Sequence, residues 1–338
     1  MGLAFSERAV RVIEFVEKKN GLALGKFGVR ELPPNAIKEG YVNDKLAVTK
    51  ELRFLQKELA MEFVSASLPD EKAYLFKIEI PKVNEGDIRQ TIEMRLEENV
   101  PLKGQDAVFD YAFIPSSDKK DHLDVSVSVL PSKVVETYLE IIKDAGLKAV
   151  SFGVESGALS RALIPKGDLG TFMIVNVSDT HTGLSIVSHG VVQFSLTVAV
   201  GGDAFTSAIE KHFSVSALEA KKIKDEKGFV KNADSAELFS SLVNTLSAIK
   251  DEINKLFVYW RTHKKHSDSA GEKIEKIILC GRDGSLSGFD DYLSVAMKVP
   301  VVVGNVWQNA FSYEEHIPAI PLLDSLDYAS AVGLALPQ

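Results

Sequence analysis

The chain has 338 residues, 45% of them hydrophobic and 25% charged. That excludes a disordered, collagenous or low-complexity polypeptide and leaves room for about two domains, each with its own core. With 39 Lys+Arg against 47 Asp+Glu the net charge is −8, which argues against nucleic acid as the main partner, because phosphate binding needs a basic footprint. The lone cysteine, Cys280, cannot form an internal disulfide and fits a reducing compartment. No apolar run approaches the ~20 residues of a membrane span, and Met1 to Glu7 lacks the basic and apolar stretches of a signal peptide. The expectation is a soluble cytoplasmic protein.

Taken in chain order, Leu3 to Ser6 and Ala9 to Phe15 read as strands, followed by a turn at Lys19-Asn20-Gly21 and a strand at Leu22 to Leu24. Asn-Gly between apolar runs signals a hairpin, because a type I′ turn needs φ > 0 at both central residues. Leu46, Val48, Leu52, Leu55 and Leu59 fall at helical spacing behind the cap candidates Asn43 and Asp44. Phe63 to Leu68 reads as a buried strand, and Tyr74, Phe76, Ile78 and Ile80 alternate along a half-buried one ending at Pro81. Ile88, Ile92 and Leu96 form one helical stripe stopped by Pro101. Phe109 to Phe113 and Val125 to Val129 alternate as strands around the charged loop Ser116 to His122, and Val134 to Ala145 is a helix closed by Gly146. Residues 69–150 therefore read as a small α+β unit.

The second half starts as the first does. Met173 to Ser178, Thr182 to Val187, a turn at His189-Gly190 and Val191 to Phe194 repeat strand, tight turn, strand, tight turn, strand. Self-similarity half a chain apart indicates a duplicated domain, the alternative being two unrelated meanders. Gly201-Gly202-Asp203 leads into a helix ending near Phe213, and Ser216-Ala217-Leu218-Glu219 is a capping box. A long amphipathic helix covers Ser235 to Trp260, a hydrophilic loop Thr262 to Lys273, and a strand Ile277 to Leu279 enters the turn Gly281-Arg282-Asp283-Gly284. A helix from Phe289 to Met297, a strand at Val301 to Val303 and a last helix from Leu326 to Leu336 complete the pattern.

This pattern resembles the actin-like ATPase fold, an α/β, ribonuclease H-like duplicated, two-lobed architecture, and most closely the PilM family of type IV pilus assembly; FtsA and the cytoplasmic part of GspL are relatives. The resemblance covers the whole chain and rests on Val10 to Phe15, Leu32-Pro33-Pro34-Asn35-Ala36-Ile37, Gly183 to Asp203 and Tyr328 to Ala335. It implies a first lobe of residues 1–68, 151–168 and 323–336, a partner-binding insertion at 69–150, and a second lobe at 169–322.

In the family, two Asp-Ile-Gly-like turns hold nucleotide. Glycine lets backbone N–H groups reach phosphate, and the aspartate orients Mg²⁺ through water. Here Ala4 and Asn176 stand at the aspartate positions and Ser6 and Ser178 at the glycines, while Thr182 keeps the downstream threonine. At the adenosine loop Gly281 and Asp283 remain, with Arg282 where a second glycine is usual; Lys222 replaces a usual glutamate, whereas Lys224 matches. Losing a charge-assisted contact costs roughly 1.5–3 kcal/mol, so two missing carboxylates weaken Mg·ATP by ~10²–10⁴. The expectation is no enzyme activity and no cofactor, or weakly bound ATP with Mg²⁺.

Other chemistry gives way to plainer readings. Gly21 to Phe27 superficially matches a P-loop but has the wrong glycine spacing and a strand context. His263 and His266 read as a solvated loop rather than a metal site. His181 is either a surface turn residue or a group facing the cleft, and Cys280 is inert core. The resemblance implies a non-catalytic scaffold, cytoplasmic and peripheral to the inner membrane through the N-terminal tail of a PilN-like bitopic protein. Other pilus platform proteins and self-association are further implied contacts, with no nucleic acid and no direct membrane contact. The tail's groove maps near Tyr74, Phe76, Ile78, Ile88 and Ile92. Rival readings are an active actin-like ATPase, a GspL-like secretion scaffold, or an FtsA-like polymerising protein; FtsA ends in an amphipathic helix, whereas this sequence stops just past its last core helix.

Overall fold

The structure, a computed structural model, describes residues 1–19, 21–115, 121–230, 236–262 and 273–337. The chain opens on β1 (Gly2–Phe5), β2 (Ala9–Lys18) and β3 (Gly21–Glu31), an antiparallel meander. Lys18 faces Gly21 across the expected turn, whose Asn20 lies outside the described residues. The third strand, expected only at Leu22 to Leu24, continues to Glu31 beyond a register shift, so the P-loop-like stretch is strand. Its glycines hid it: a Cβ at Gly28 would sit 2.9 Å from Leu55 Cδ2, so the bare backbone is what admits the helix packed above.

A short hairpin of β4 (Ile37–Lys38) and β5 (Tyr41–Val42) leads to α1 (Lys45–Leu59), whose N-cap Asp44 accepts the Ala47 N–H. Val48, Leu52 and Leu55 face the core, but Leu46 is 84% exposed. It precedes Val48 by two residues, about 200° around the helix, and does not belong to the stripe. Buried β6 (Phe63–Leu68) then runs parallel to β1.

The next stretch holds β7 (Tyr74–Pro81), α2 (Glu85–Glu93), α3 (Leu96–Asn99), β8 (Ala107–Phe113) and β9 (His122–Pro131), with strands ordered β7-β9-β8. The Ile88-Ile92-Leu96 stripe is divided between two helices, because the chain breaks at Met94 and Arg95, where the Arg95 guanidinium donates to the Glu79 carbonyl. The three side chains still share one core with Ile78, Phe109 and Val127. Of the charged loop at 116–122, residues 116–120 lie outside the described residues and His122 already belongs to β9.

The helix α4 (Ser132–Asp144), ending before Gly146 at φ +85°, and β10 (Lys148–Val154) return to the first lobe. Ile141, Ile142 and Leu147 pack with Val10, Leu52 and Val64, and β10 pairs parallel to β6. The stretch expected as one insertion at 69–150 thus has its own sheet within 74–131, while its last helix and first β10 residues join the neighbouring core. The helix α5 (Glu155–Leu163) follows.

The second lobe repeats the plan with β11 (Thr171–Val177), β12 (Thr182–Ser188) and β13 (Val191–Val198). His189 and Gly190, at φ +54° and +75°, form the expected tight turn. The helices α6 (Gly202–Phe213), α7 (Ala217–Lys227) and α8 (Ala236–Thr262) come next, and α7 carries the complete Ser216–Glu219 capping box. The loop expected at Thr262 to Lys273, with His263 and His266, falls almost wholly on residues 263–272, outside those described. Then come β14 (Lys276–Cys280), α9 (Phe289–Met297), β15 (Val301–Val303), α10 (Leu322–Ser325) and α11 (Ala329–Ala335). The last helix begins at Ala329 rather than 326, after a single 3-10 turn at Leu326–Tyr328.

The two five-stranded sheets have the orders β3-β2-β1-β6-β10 and β13-β12-β11-β14-β15. In each, an antiparallel meander ends on a central strand that pairs parallel with its next neighbour. The duplication expected from the hairpins extends to whole sheets. One core spans both lobes, joining Ala4, Ile13 and Leu159 to Phe172, Ile174 and Trp307, and buried Cys280 belongs to it.

Candidate functional site

The residues of interest gather where parallel strands end. Ser6 follows β1, Asp70 follows β6, Glu155 follows β10, Ser178 follows β11 and Gly281 follows β14. In open α/β sheets the crevice beyond the carboxyl ends of strands is where ligands bind. Here the two lobes turn those ends toward one another.

The two turns expected to touch phosphate close on themselves in the same way. Ser6 N–H donates to the Ala9 carbonyl at 2.9 Å, and Ser178 N–H to the His181 carbonyl at 3.0 Å. Each serine hydroxyl donates to that same carbonyl, at 2.9 and 2.8 Å, and accepts the N–H of that residue, at 3.1 and 3.3 Å. These are local hydroxyl-closed turns. The Arg11 guanidinium also donates to Ser6 Oγ at 3.3 Å. Ala4 is buried and brings no oxygen, and Asn176 donates its amide to Glu155 Oε1 at 3.3 Å. Thr182 is buried with its hydroxyl donated to the Val200 carbonyl at 2.7 Å. The cavity between the turns measures about 50 Å³.

An ion pair crosses this gap: Arg8 of the first turn lies 2.5 Å from Asp203 at the start of α6, while Arg11 pairs within the first lobe with Asp327 at 3.1 Å. Lys224, the matched residue of α7, is buried with its ammonium 2.5 Å from the fully buried Asp283 and donating to the Gly202 carbonyl. Gly202 has no choice of size, since a Cβ there would overlap the Asp283 carboxylate. Burial raises the Asp283 carboxyl while Lys224 opposes the shift. Gly281, at φ +74°, lies against Val177 and Asn176, where a side chain would collide with their oxygens. Arg282 leans away to Asp225 at 3.2 Å, and Lys222 sits on the surface beside Glu226. Thus Ser6, Asn176, Ser178 and Gly281 do meet at the cleft, whereas Ala4 is buried in the core beneath it and Thr182, Lys224, Arg282 and Asp283 are committed to partners within the protein.

Three acids that sequence reasoning missed stand beside them. Asp70 accepts the N–H and hydroxyl of Ser156, at 3.0 and 3.1 Å. Burial pushes its carboxyl up to about 6. Glu155 is pushed up to about 8 by burial and then by Asp70 and Glu71. Glu71 lies 3.5 Å from His181 Nε2. His181, left open between surface and cleft, is therefore half-buried against the other lobe. The available signal was position, for two of them: Asp70 and Glu71 come just after Phe63 to Leu68, which reads as a buried strand, whereas no strand was read ahead of Glu155.

Of the residues mapped to a partner groove, Ile78, Ile88 and Ile92 are buried in the inserted unit's own core and present no surface. Alternate β7 side chains and the α2 stripe close on one another, as a small unit must to have a core at all. Phe76 packs partly against that core, and Tyr74 is 38% exposed. Among the described residues no helix is long and apolar enough to cross a membrane.

A family model described as type IV pilus assembly protein PilM matches residues 2–338. The chain is similar to a solved PilM-PilN type IV pilus biogenesis complex, with 21% identity, 99% of this chain and 96% of that one covered, and a TM-score of 0.79. It is also similar to MreB 5 of Spiroplasma citri bound to AMPPNP, with 15% identity, 98% and 93% coverage and a TM-score of 0.57. The ethanolamine utilization protein EutJ from Carboxydothermus hydrogenoformans matches at 14% identity, 99% and 88% coverage and a TM-score of 0.53. The expected actin-like fold is the fold observed.

Proposed function

The chain belongs to the PilM family of type IV pilus assembly proteins, and within that family we propose that it is a non-catalytic docking platform. It holds the N-terminal tail of a PilN-like membrane protein and is thereby kept at the inner membrane. The support for a PilN-like partner is the likeness to the PilM-PilN complex along the whole chain. The tail lies where the inserted sheet meets the first lobe, near exposed Tyr74, as an extended segment that fills a pocket and takes register from backbone hydrogen bonds.

One observation carries the non-catalytic part: the gap between the two phosphate-type turns is about 50 Å³, against roughly 300–1,000 Å³ for ordinary small-molecule sites. The surrounding residues do not fit a metal-bound triphosphate. Ala4 offers no carboxylate, both serine hydroxyls close their own turns, and Lys224 neutralises Asp283. Arg8 and Asp203 span the gap with an ion pair of their own.

The partner arm is tested by titrating the full chain with a synthetic peptide of the PilN-like protein's N-terminal tail. Saturable one-to-one binding that a scrambled peptide does not reproduce is expected. Equal binding of both peptides, or of neither, contradicts the docking role.

A further inference from the structure

Beside the turns, a wider cavity of about 620 Å³ opens between the β4–β5 hairpin, residues 70–73 and strand β13. At its rim stand Glu7, Glu71 and His181, all half-buried, each offering an atom within 4.8 Å of the other two. They come from three separate segments: Glu7 from the β1–β2 turn, Glu71 from the turn after β6, and His181 from the β11–β12 turn of the other lobe. We propose that these three side chains form a site for a divalent transition-metal ion that bridges the two lobes.

The donor set is one imidazole and two carboxylates, which suits zinc and its first-row neighbours rather than Mg²⁺, a cation served by oxygen alone. Two of the ligands are oriented from outside the trio. His181 Nδ1 lies 3.1 Å from Thr180 Oγ1, so a hydrogen bond there leaves Nε2 as the metal-facing nitrogen, and Nε2 is the atom turned toward Glu71. Glu7 accepts the Glu39 N–H on Oε1, which fixes its carboxylate and leaves the second oxygen available. Room for solvent ligands is supplied by the adjoining cavity.

Charge balance points the same way. Of the cations that line the cavity, Arg8 is paired with Asp203 and Lys72 lies over the Tyr41 ring, 3.7 Å from its centroid, while Lys38 stands on the β4–β5 hairpin. A bound dication meets the carboxylates of Glu7 and Glu71 here, both within reach of the His181 ring. A second His-acid group, Glu79, His122 and Asp124, is less suited, because Lys77 already faces Asp124 and His122 faces Asp121.

Calorimetric titration of the EDTA-stripped full chain with ZnCl₂ tests the site. The expected result is one Zn²⁺ per chain, with no saturable heat from MgCl₂. His181→Ala weakens binding by about 100-fold or more, since losing a ligand costs at least as much as losing its outer-shell support, and Glu7→Gln weakens it in the same direction. His122→Ala and the double variant His263→Ala/His266→Ala leave it unchanged. Zn²⁺ also raises the melting temperature of the wild type and not of His181→Ala. An absence of saturable Zn²⁺ binding, binding unaltered by both His181→Ala and Glu7→Gln, or binding lost only in the control variants overturns the proposal.

Discussion

Glu155 and Asp70 feel each other because β6 and β10 run parallel with Leu68 opposite Val154, so the residues after them share one end of the sheet. Their carboxyls titrate at about 8 and about 6 in the folded chain, above the ~4 of exposed carboxyls. The folded state therefore binds more protons than the unfolded one between roughly pH 4 and 8, and stability falls as pH rises through that window. Glu155→Gln, whose amide oxygen can still accept from Asn176, should flatten the fall and melt above the wild type at pH 8.5; identical pH slopes for the two proteins would refute the buried-acid assignment. At the neighbouring pair, Lys224→Met strands a buried charge and should cost about 3–5 kcal/mol in urea unfolding, most of it recovered by adding Asp283→Asn. A loss below about 1 kcal/mol would mean that the pair behaves as a surface one. At this scale the sequence revealed substitutions at single positions, such as Ala4 and Asn176, because a pattern of types shows what is missing. It did not reveal that Asp70, Glu71, Glu155 and His181 converge, since their approach depends on strand order and on two lobes facing each other.

Elements with local causes were legible. The Ser216–Glu219 box, the Asp44 cap and the His189-Gly190 turn all sit where their chemistry put them. Elements settled by distant packing were not: β3 continues past Gly25 to Gly28, where the bare backbone lies under α1, and α4 joins the first lobe's core although β9 before it belongs to the insertion. This division suggests an excision. Tyr74 and Val129 are paired across β7 and β9, so a short Gly-Ser link can replace residues 75–128 without spanning a gap. The shortened chain should keep a cooperative melt and lose capture of the partner tail; undiminished capture would move the groove elsewhere. The α5–α11 pair makes a second claim at this scale. Gly333 meets the Ala158 carbonyl so closely that any Cβ would overlap it. Gly333→Val should destabilise by about 1–3 kcal/mol through forced separation, readable as a lower urea midpoint; an unchanged midpoint would show that the helices part freely.

At the scale of the whole molecule, a duplicated sheet pair faces itself across a cleft, and the cleft's occupants are the protein's own side chains. Arg8–Asp203 runs across it, Arg11–Asp327 lies on its first-lobe wall, and a shared apolar core lies beneath. The actin-like shape was legible from the repeated hairpins, whereas the state of the cleft depends on how the side chains partner one another. In our account lobe closure needs no triphosphate, which frees the fold to act as a docking surface in pilus assembly. The most direct test is calorimetric titration of the intact protein with Mg·ATP. With two carboxylates absent from the turns, the account predicts no saturable heat below about 1 mM nucleotide; a one-site isotherm in the low micromolar range would contradict it.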